Sequence, residues 1–482
     1  MNQQTDWQVV LNFYDHKAIV VQPQQAQLTS DAGLLPIRQL DEVLGLTAQF
    51  AAALNDRRDP GASTHSFLEM VRMRVYGIVA DYPDQNDHDV LRSDPLFKLL
   101  ANRSPDDADL ASQPTLSRFE NAIDVPSLRR LQDVFIDQFI ASFPTVPRHL
   151  TFDIDVFDDP THGEQQLTFF HGYYDQYQYL PRAITCKEND TVVMICLLFG
   201  TAHATLGIED DLPYLVRRLR AVWPDVHITI RGDSGFAVPK TYLLLEQLGV
   251  EYTLGLAMNA VLKRNSDEIL DVAMRNYEET GEPQRLFTAF EYQAASWGEP
   301  RWTIIKAEAH AQGTNRRAVV TNRPGARILP EATYDEYTER GESENRNKEL
   351  KCGVQADRLS DHRYMANLFR LYLHALAANL LARLRSVVAD PPPPAVATSL
   401  PTEALAGKQR HDYFNHRRER DPLGEAQPCT WRTRLIKVAA EIVVTTRRIV
   451  VRLAGSWPYL DHYRQVAQAV LDFSLSSPRA SG

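Results

Sequence analysis

The sequence predicts an α/β core set between a helical N-terminal module and a basic C-terminal region. Three observations lead there. Between residues 149 and 257, strand-like apolar runs alternate with segments of helical periodicity, an order that builds a sheet with helices packed on it. Residues 258–328 break that rhythm with the β-rich runs "RLFTAFEYQA", "RWTIIKAEAH" and "RRAVVTN", which read as an antiparallel insertion. The first 145 residues carry mainly the three- and four-residue apolar spacing of helices. The organisation expected is a module at 1–145, a core at 146–257 and 329–389, the insertion at 258–328, a linker at 390–409 and a basic region at 410–482.

The elements follow in order. A polar arm with the apolar run "WQVVLNFYDHKAIVV" opens the chain. Helices are expected at Ile37–Leu54, Ser66–Ala80, Val90–Leu100, after Pro114 in "SQPTLSRFENAI", and at Leu128–Ala141. "HLTFDIDVF" (149–157) alternates and reads as a strand, "LTFFHGYY" as a second, and the apolar "TVVMICLLFG" (191–200) as a third, central one. Ile208–Val222 is helical, "VHITIRGDSG" a strand ending in a turn, Val238–Leu248 a helix and "EYTLGLA" a strand. Helical character returns from Tyr334 and ends in a long helix over Asp361–Val388, which "PPPP" (391–394) terminates. The remainder, with "TRLIKVAAEIVVTTRRIVVRL", mixes helix and strand.

Composition narrows the class without choosing a function. Hydrophobic residues make up 44% and charged residues 24%, as in ordinary soluble proteins. No basic segment followed by an apolar run opens the chain, and Arg and His interrupt the apolar stretch Leu368–Val388. No secretory signal and no membrane span are expected. The four cysteines, Cys186, Cys196, Cys352 and Cys429, lack metal-site spacing, so neither a disulfide framework nor a zinc site is expected and a reducing cytoplasm fits. The formal charge of -10 repels phosphate in bulk, yet Pro401–Gly482 holds 13 Lys/Arg against 8 Asp/Glu. A local basic surface is what binding a polyanion requires.

Three acidic positions carry the functional argument. Asp153 and Asp155 lie two apart on one strand and leave the same face. Carboxylates there are costly in a core unless paired or metal-bound; the bland alternative is a solvent-facing edge. Asp233 ends the strand "VHITIRGDSG", where open α/β sheets place ligand groups, although Asp-Ser-Gly is also an ordinary turn. In "YTERGESENRNKELK", Tyr337, Arg340, Glu344 and Lys351 are spaced by three, four and seven and share a stripe if the segment is helical. A solvated, ion-paired helix face would look the same. Carboxylates from two strands and a helix would suit hard divalent ions such as Mg²⁺, which prefer oxygen ligands.

With these residues in view, the chain resembles bacterial insertion-sequence DDE transposases, the subgroup with a β insertion before the catalytic Glu. That subgroup is marked by Tyr, two residues, Arg, three residues, Glu, six residues, Lys, which Tyr337, Arg340, Glu344 and Lys351 match at every gap. "IRGDSGF" (230–236), "FDIDVFDDPTHGEQ" and "NLFRLYLHALAANLLARLR" (367–385) are similar too, so the resemblance spans about residues 30–470. Val156-Phe157 and Leu198-Phe199-Gly200 depart from the family pattern. The resemblance implies a ribonuclease H-like catalytic core. It implies an enzyme that cuts transposon ends and joins them to target DNA, with two Mg²⁺ or Mn²⁺ ions on Asp155, Asp233 and Glu344. Asp153 is the alternative to Asp155. It further implies Tyr337, Arg340 and Lys351 at DNA phosphates, and Trp297 or Trp302 stacked on a flipped base. Its partners would be double-stranded DNA and a second copy of the chain in a synaptic homodimer, in a bacterial, nucleoid-associated setting. A ribonuclease H-like nuclease without strand transfer, and an inactive DNA-binding relic, are the alternatives.

Overall fold

The computed structural model describes residues 7–13, 16–59, 61, 63–389 and 419–476; the expected linker at 390–409 lies outside them. The mixed α/β expectation holds. A ten-stranded sheet runs in the order Gln284–Tyr292, Arg301–His310, Gly313–Thr321, Glu251–Leu256, His227–Gly232, His149–Val156, Gln176–Cys186 and Asp159–Pro160. Phe169–His171 and Val192–Phe199 also pair with Gln176–Cys186. His149–Val156, His227–Gly232 and Glu251–Leu256 are parallel neighbours. Parallel strands need crossovers, here supplied by helices Ile208–Val222 and Pro239–Gln247.

Three elements differ from the sequence reading. The second strand is Gln176–Cys186, with only Phe169–His171 of the expected run beside it. Pro181 argues against a strand on sequence grounds. It is tolerated because His149–Val156 has ended at that level, where Phe157 N–H donates to the Pro181 carbonyl at 3.0 Å. Val192–Phe199, expected to be central, pairs with Gln176–Cys186 alone. It is apolar because helices Val125–Ala141 and Tyr364–Val388 cover it, and the Asn379 amide closes part of its free edge by bonding both N–H and C=O of Val192 at 2.7 and 2.9 Å. The insertion opens with two helices, Ala260–Asn265 and Asp267–Thr280. Its three strands then continue the central sheet, because Gly313–Thr321 pairs antiparallel with Glu251–Leu256.

The helices outside the sheet gather on the long helix Tyr364–Val388. Leu34–Leu44, Leu46–Ala52, Phe67–Val79, Gln113–Asn121 and Val125–Ala141 all touch it. Gly45, in the left-handed region at φ 68°, separates the first two of these, which apolar spacing alone runs together. The C-terminal region joins the same core. Ala440–Val444 pairs with Leu28–Thr29, and helix Leu460–Ser476 lies on Leu34–Leu44 and on the long helix. One apolar cluster thus runs from Leu34 through Phe369 to Val470.

Candidate active site

The alternating apolar residues Leu150, Phe152 and Ile154 are all buried and fix His149–Val156 in the sheet. Asp153 and Asp155 therefore share the other face. The parallel register sets Asp153 opposite Arg231 and Ile154 opposite Gly232, so Asp155 and Asp233 follow at matched ends of adjacent strands. Asp233 caps the short turn Ser234–Phe236, its carboxylate accepting the Gly235 N–H at 2.9 Å.

The two aspartates of the first strand have different surroundings. Asp153 is 2% exposed and receives Nε and Nη2 of Arg231, both at 2.7 Å. Nη1 of the same arginine donates to the Glu336 carbonyl at 2.5 Å, which ties the helix Pro330–Thr338 to the sheet. Asp155 has no such bidentate partner. One oxygen accepts the Val156 N–H at 2.9 Å; the other accepts the Asn347 amide at 2.9 Å and Nη2 of Arg340 at 3.3 Å. Burial pushes the Asp155 carboxyl up to about 6, with the negative charge of Asp233 adding to it and Arg340 opposing it.

Glu344 lies on the facing helix Arg340–Lys348 and is exposed. It takes Nη1 of Arg340 at 2.9 Å, so one guanidinium spans Glu344 and Asp155. Tyr337 lies near the end of the preceding helix. Its hydroxyl sits where a side chain on residue 255 would begin, 2.7 Å from that Cβ position, which is why Gly255 stands there beside the backbone of Asp233 and Ser234. Burial raises the Tyr337 hydroxyl, with Arg340 opposing and Asp233, Glu344 and Asp155 adding, so these five groups share one electrostatic site.

Other residues singled out from the sequence lie further off. Lys351 falls in a π-turn, Glu349–Gly353, which breaks the α-helical stripe; its ammonium pairs with Asp158 at 2.5 Å. Trp297 is buried against Tyr242 and Tyr292, with ring centroids 5.0 and 5.3 Å away, so its faces are occupied. Trp302 is half-buried on its strand, 5.7 Å from the Arg327 guanidinium. Sequence reasoning misses Asn347 and Arg231. Asn347 is three residues beyond Glu344, a helical neighbour position that could be read; the reach of Arg231 to Asp153 needs the strand register.

Among the described residues, no group of three or more His, Cys, Asp or Glu side chains stands ready to hold a metal ion. The donors nevertheless suit a hard cation. They are carboxylates, two at neighbouring strand ends, and the buried one carries negative charge at a cost that Arg340 offsets only in part. Glu344 is exposed on the facing helix and shares the Arg340 guanidinium with Asp155.

The family described as "Transposase DDE domain group 1" matches residues 11–398. No curated protein matches the chain. Among solved structures it is similar to the cryo-EM structure of the piggyBac transposase synaptic complex with hairpin DNA. That likeness has 14% identity, covers 74% of this chain and 77% of that one, and has a TM-score of 0.39. Among the described residues no helix is long and apolar enough to cross a membrane.

Proposed function

The chain belongs to the transposase family of DDE domain group 1, and from that premise we propose that it cuts DNA at transposon ends and transfers the cut strands to target DNA on a ribonuclease H-like core. The observation that carries this reading is the meeting of Asp155 and Asp233 at matched ends of parallel strands, opposite the helix of Arg340 and Glu344. Asp155, Asp233 and Glu344 are the proposed ligands of two Mg²⁺ or Mn²⁺ ions. When bound, such ions lower the barrier by activating a water or 3′-hydroxyl and by stabilising the leaving oxygen.

The protein's own groups do the rest. Burial holds the Asp155 carboxyl up at about 6 in the metal-free protein, so a cation binding there would compete with its proton. Arg340 neutralises part of the acidic charge and presents a planar fork suited to a phosphate. Tyr337 places its hydroxyl against Gly255, whose missing side chain lets the helix approach the sheet beside Asp233. Lys351, on Asp158, supplies a second cation for the DNA backbone. Asp153, held by Arg231, serves the fold, which favours Asp155 as the first ligand. Trp302, with its ring partly open, is the better candidate for stacking on a base. Residues 1–145 and 410–482 would bind the double-stranded ends. Two ends call for two copies of the chain, working as a homodimer on DNA in a bacterial cytoplasm.

The test is product analysis on DNA ends taken from the inverted repeats that should flank the gene. Labelled ends, target plasmid and Mg²⁺ should yield joined molecules. Cut ends without joining would make the protein a nuclease. Ends bound but never cut would make it a relic.

A further inference from the structure

Beside the carboxylates stands a hairpin that their chemistry does not use. Phe169–His171 pairs with Gln176–Gln178 across a tight turn. In the turn, the Asp175 N–H donates to the His171 carbonyl at 2.8 Å, with Asp175 at φ 54°. A short hairpin normally ends in polar residues. This one exposes rings: Tyr173 is 86% exposed, Tyr177 58%, Phe170 47% and Phe169 43%. The rings are ordered against one another. Phe170 and Tyr177 are cross-strand partners with centroids 5.6 Å apart, and Tyr173 meets Tyr174 at 5.0 Å.

The hairpin is fastened to the proposed site. Gln176 donates to Asp158 at 3.0 Å, and the other oxygen of that carboxylate holds Lys351 at 2.5 Å. Asp158 lies three residues after Asp155. Burial raises the Tyr174 hydroxyl, and Asp158, Tyr173, Asp155 and Asp233 add to it, so this tyrosine lies within electrostatic reach of the acidic groups. The hairpin thus runs from Asp158 toward solvent, with the Phe170–Tyr177 pair on one face and Phe169 on the other.

We propose that this hairpin is a stacking platform for unpaired DNA bases next to the site of cutting, with Tyr173 at its tip and the Phe170–Tyr177 pair on its outer face. The proposal rests on the DNA-processing reading above. Aromatic faces suit bases because every base has a π-face, whatever the sequence. The position fits as well: Gln176 of the hairpin and Lys351 share the Asp158 carboxylate, three residues after Asp155, so the rings adjoin the proposed site of cutting.

The experiment uses the full chain and two fluorescent probes, a duplex ending in a single-stranded oligo(dT) fork with one 2-aminopurine, and the same duplex blunt. Wild type should bind the fork more tightly and quench the 2-aminopurine. Tyr173→Ala and the double variant Phe170→Ala/Tyr177→Ala should each weaken fork binding by about tenfold while leaving blunt-duplex binding unchanged. Tyr173→Trp should restore it, which a general folding defect would not allow. Equal loss on both probes, or no loss, overturns the proposal. So does a change in sedimentation of the free variants, which would assign the rings to a second copy of the chain. Failure of wild type to bind either probe would instead sink the DNA-processing reading, and this proposal with it.

Discussion

Replacing Asp155 by Asn should stabilise the metal-free protein and abolish its chemistry. The Asp155 carboxyl is held at about 6, against an ordinary 3.8, by burial first and by Asp233. Its side chain is 15% exposed, so solvent screening removes little of that effect. A folded-state value above the unfolded one means that the fold favours the protonated acid. The stability gained from that proton is fully present below about pH 4 and is lost as pH rises through 6. Raising a carboxyl from 3.8 to about 6 costs the ionised fold about 3 kcal/mol at pH 8, a figure that already includes the attraction of Arg340. Asn cannot ionise, and its oxygen can still accept from Asn347. Urea unfolding at pH 8 with EDTA should therefore find the variant more stable by up to about 3 kcal/mol, the gain vanishing near pH 4. Added Mg²⁺ should raise the melting temperature of wild type and leave the variant where it was, since only a folded-state ligand stabilises by mass action. A variant less stable than wild type at pH 8, or a difference independent of pH, would refute this reasoning.

Other consequences can be checked alongside. Asp153→Asn removes the bidentate partner of the buried Arg231, leaving Glu339 at 3.6 Å, and should cost up to about 3–5 kcal/mol in denaturant unfolding, with much of it recovered in an Asp153→Leu/Arg231→Met double variant. Arg340→Ala removes the cation that lowers the Asp155 carboxyl, so the acid limb of the pH–rate profile should move to higher pH; an unmoved limb would contradict the pairing. Trp297→Ala should cost about 3–5 kcal/mol of stability by emptying an aromatic core. Trp302→Ala should cost less stability than Trp297→Ala and weaken end binding in a mobility-shift titration.

Much of the site is legible in the sequence because local patterns place it. The alternation in "HLTFDIDVF" and the strand-to-turn ending of "IRGDSG" put both aspartates at strand ends, and the helix–strand order predicts that the strands are neighbours. What the sequence hides depends on contacts between distant segments. Arg231 reaches Asp153 across 78 positions, and only the register shows it. The π-turn at Glu349–Gly353 shifts Lys351 off the stripe that a uniform helix would give. The sequence leaves Trp297 open between a base-stacking residue and a core residue of the hairpin, and Tyr242, from a helix before the insertion, decides for the core. The apolar run at 191–200 suggests a central strand because periodicity cannot tell a strand between strands from one covered by helices. The C-terminal region reads as a basic tail, yet Lys437 and Arg432 are spent on Asp31 and Asp81 as the segment packs against the N-terminal helices.

If Asp155, Asp233 and Glu344 act as one metal-dependent unit on DNA, each is needed for nicking. The direct measurement is the rate of Mg²⁺-dependent nicking at an element end for wild type, Asp155→Asn, Asp233→Asn and Glu344→Gln, at matched folding and saturating DNA. Each substitution keeps the side-chain size and removes the charge a hard ion needs. All three should lose nicking and joining while binding the end as wild type does, because a lost ligand lowers transition-state stabilisation more than substrate affinity. Nicking at the wild-type rate by Glu344→Gln, or nicking by the parent protein in EDTA, would contradict it.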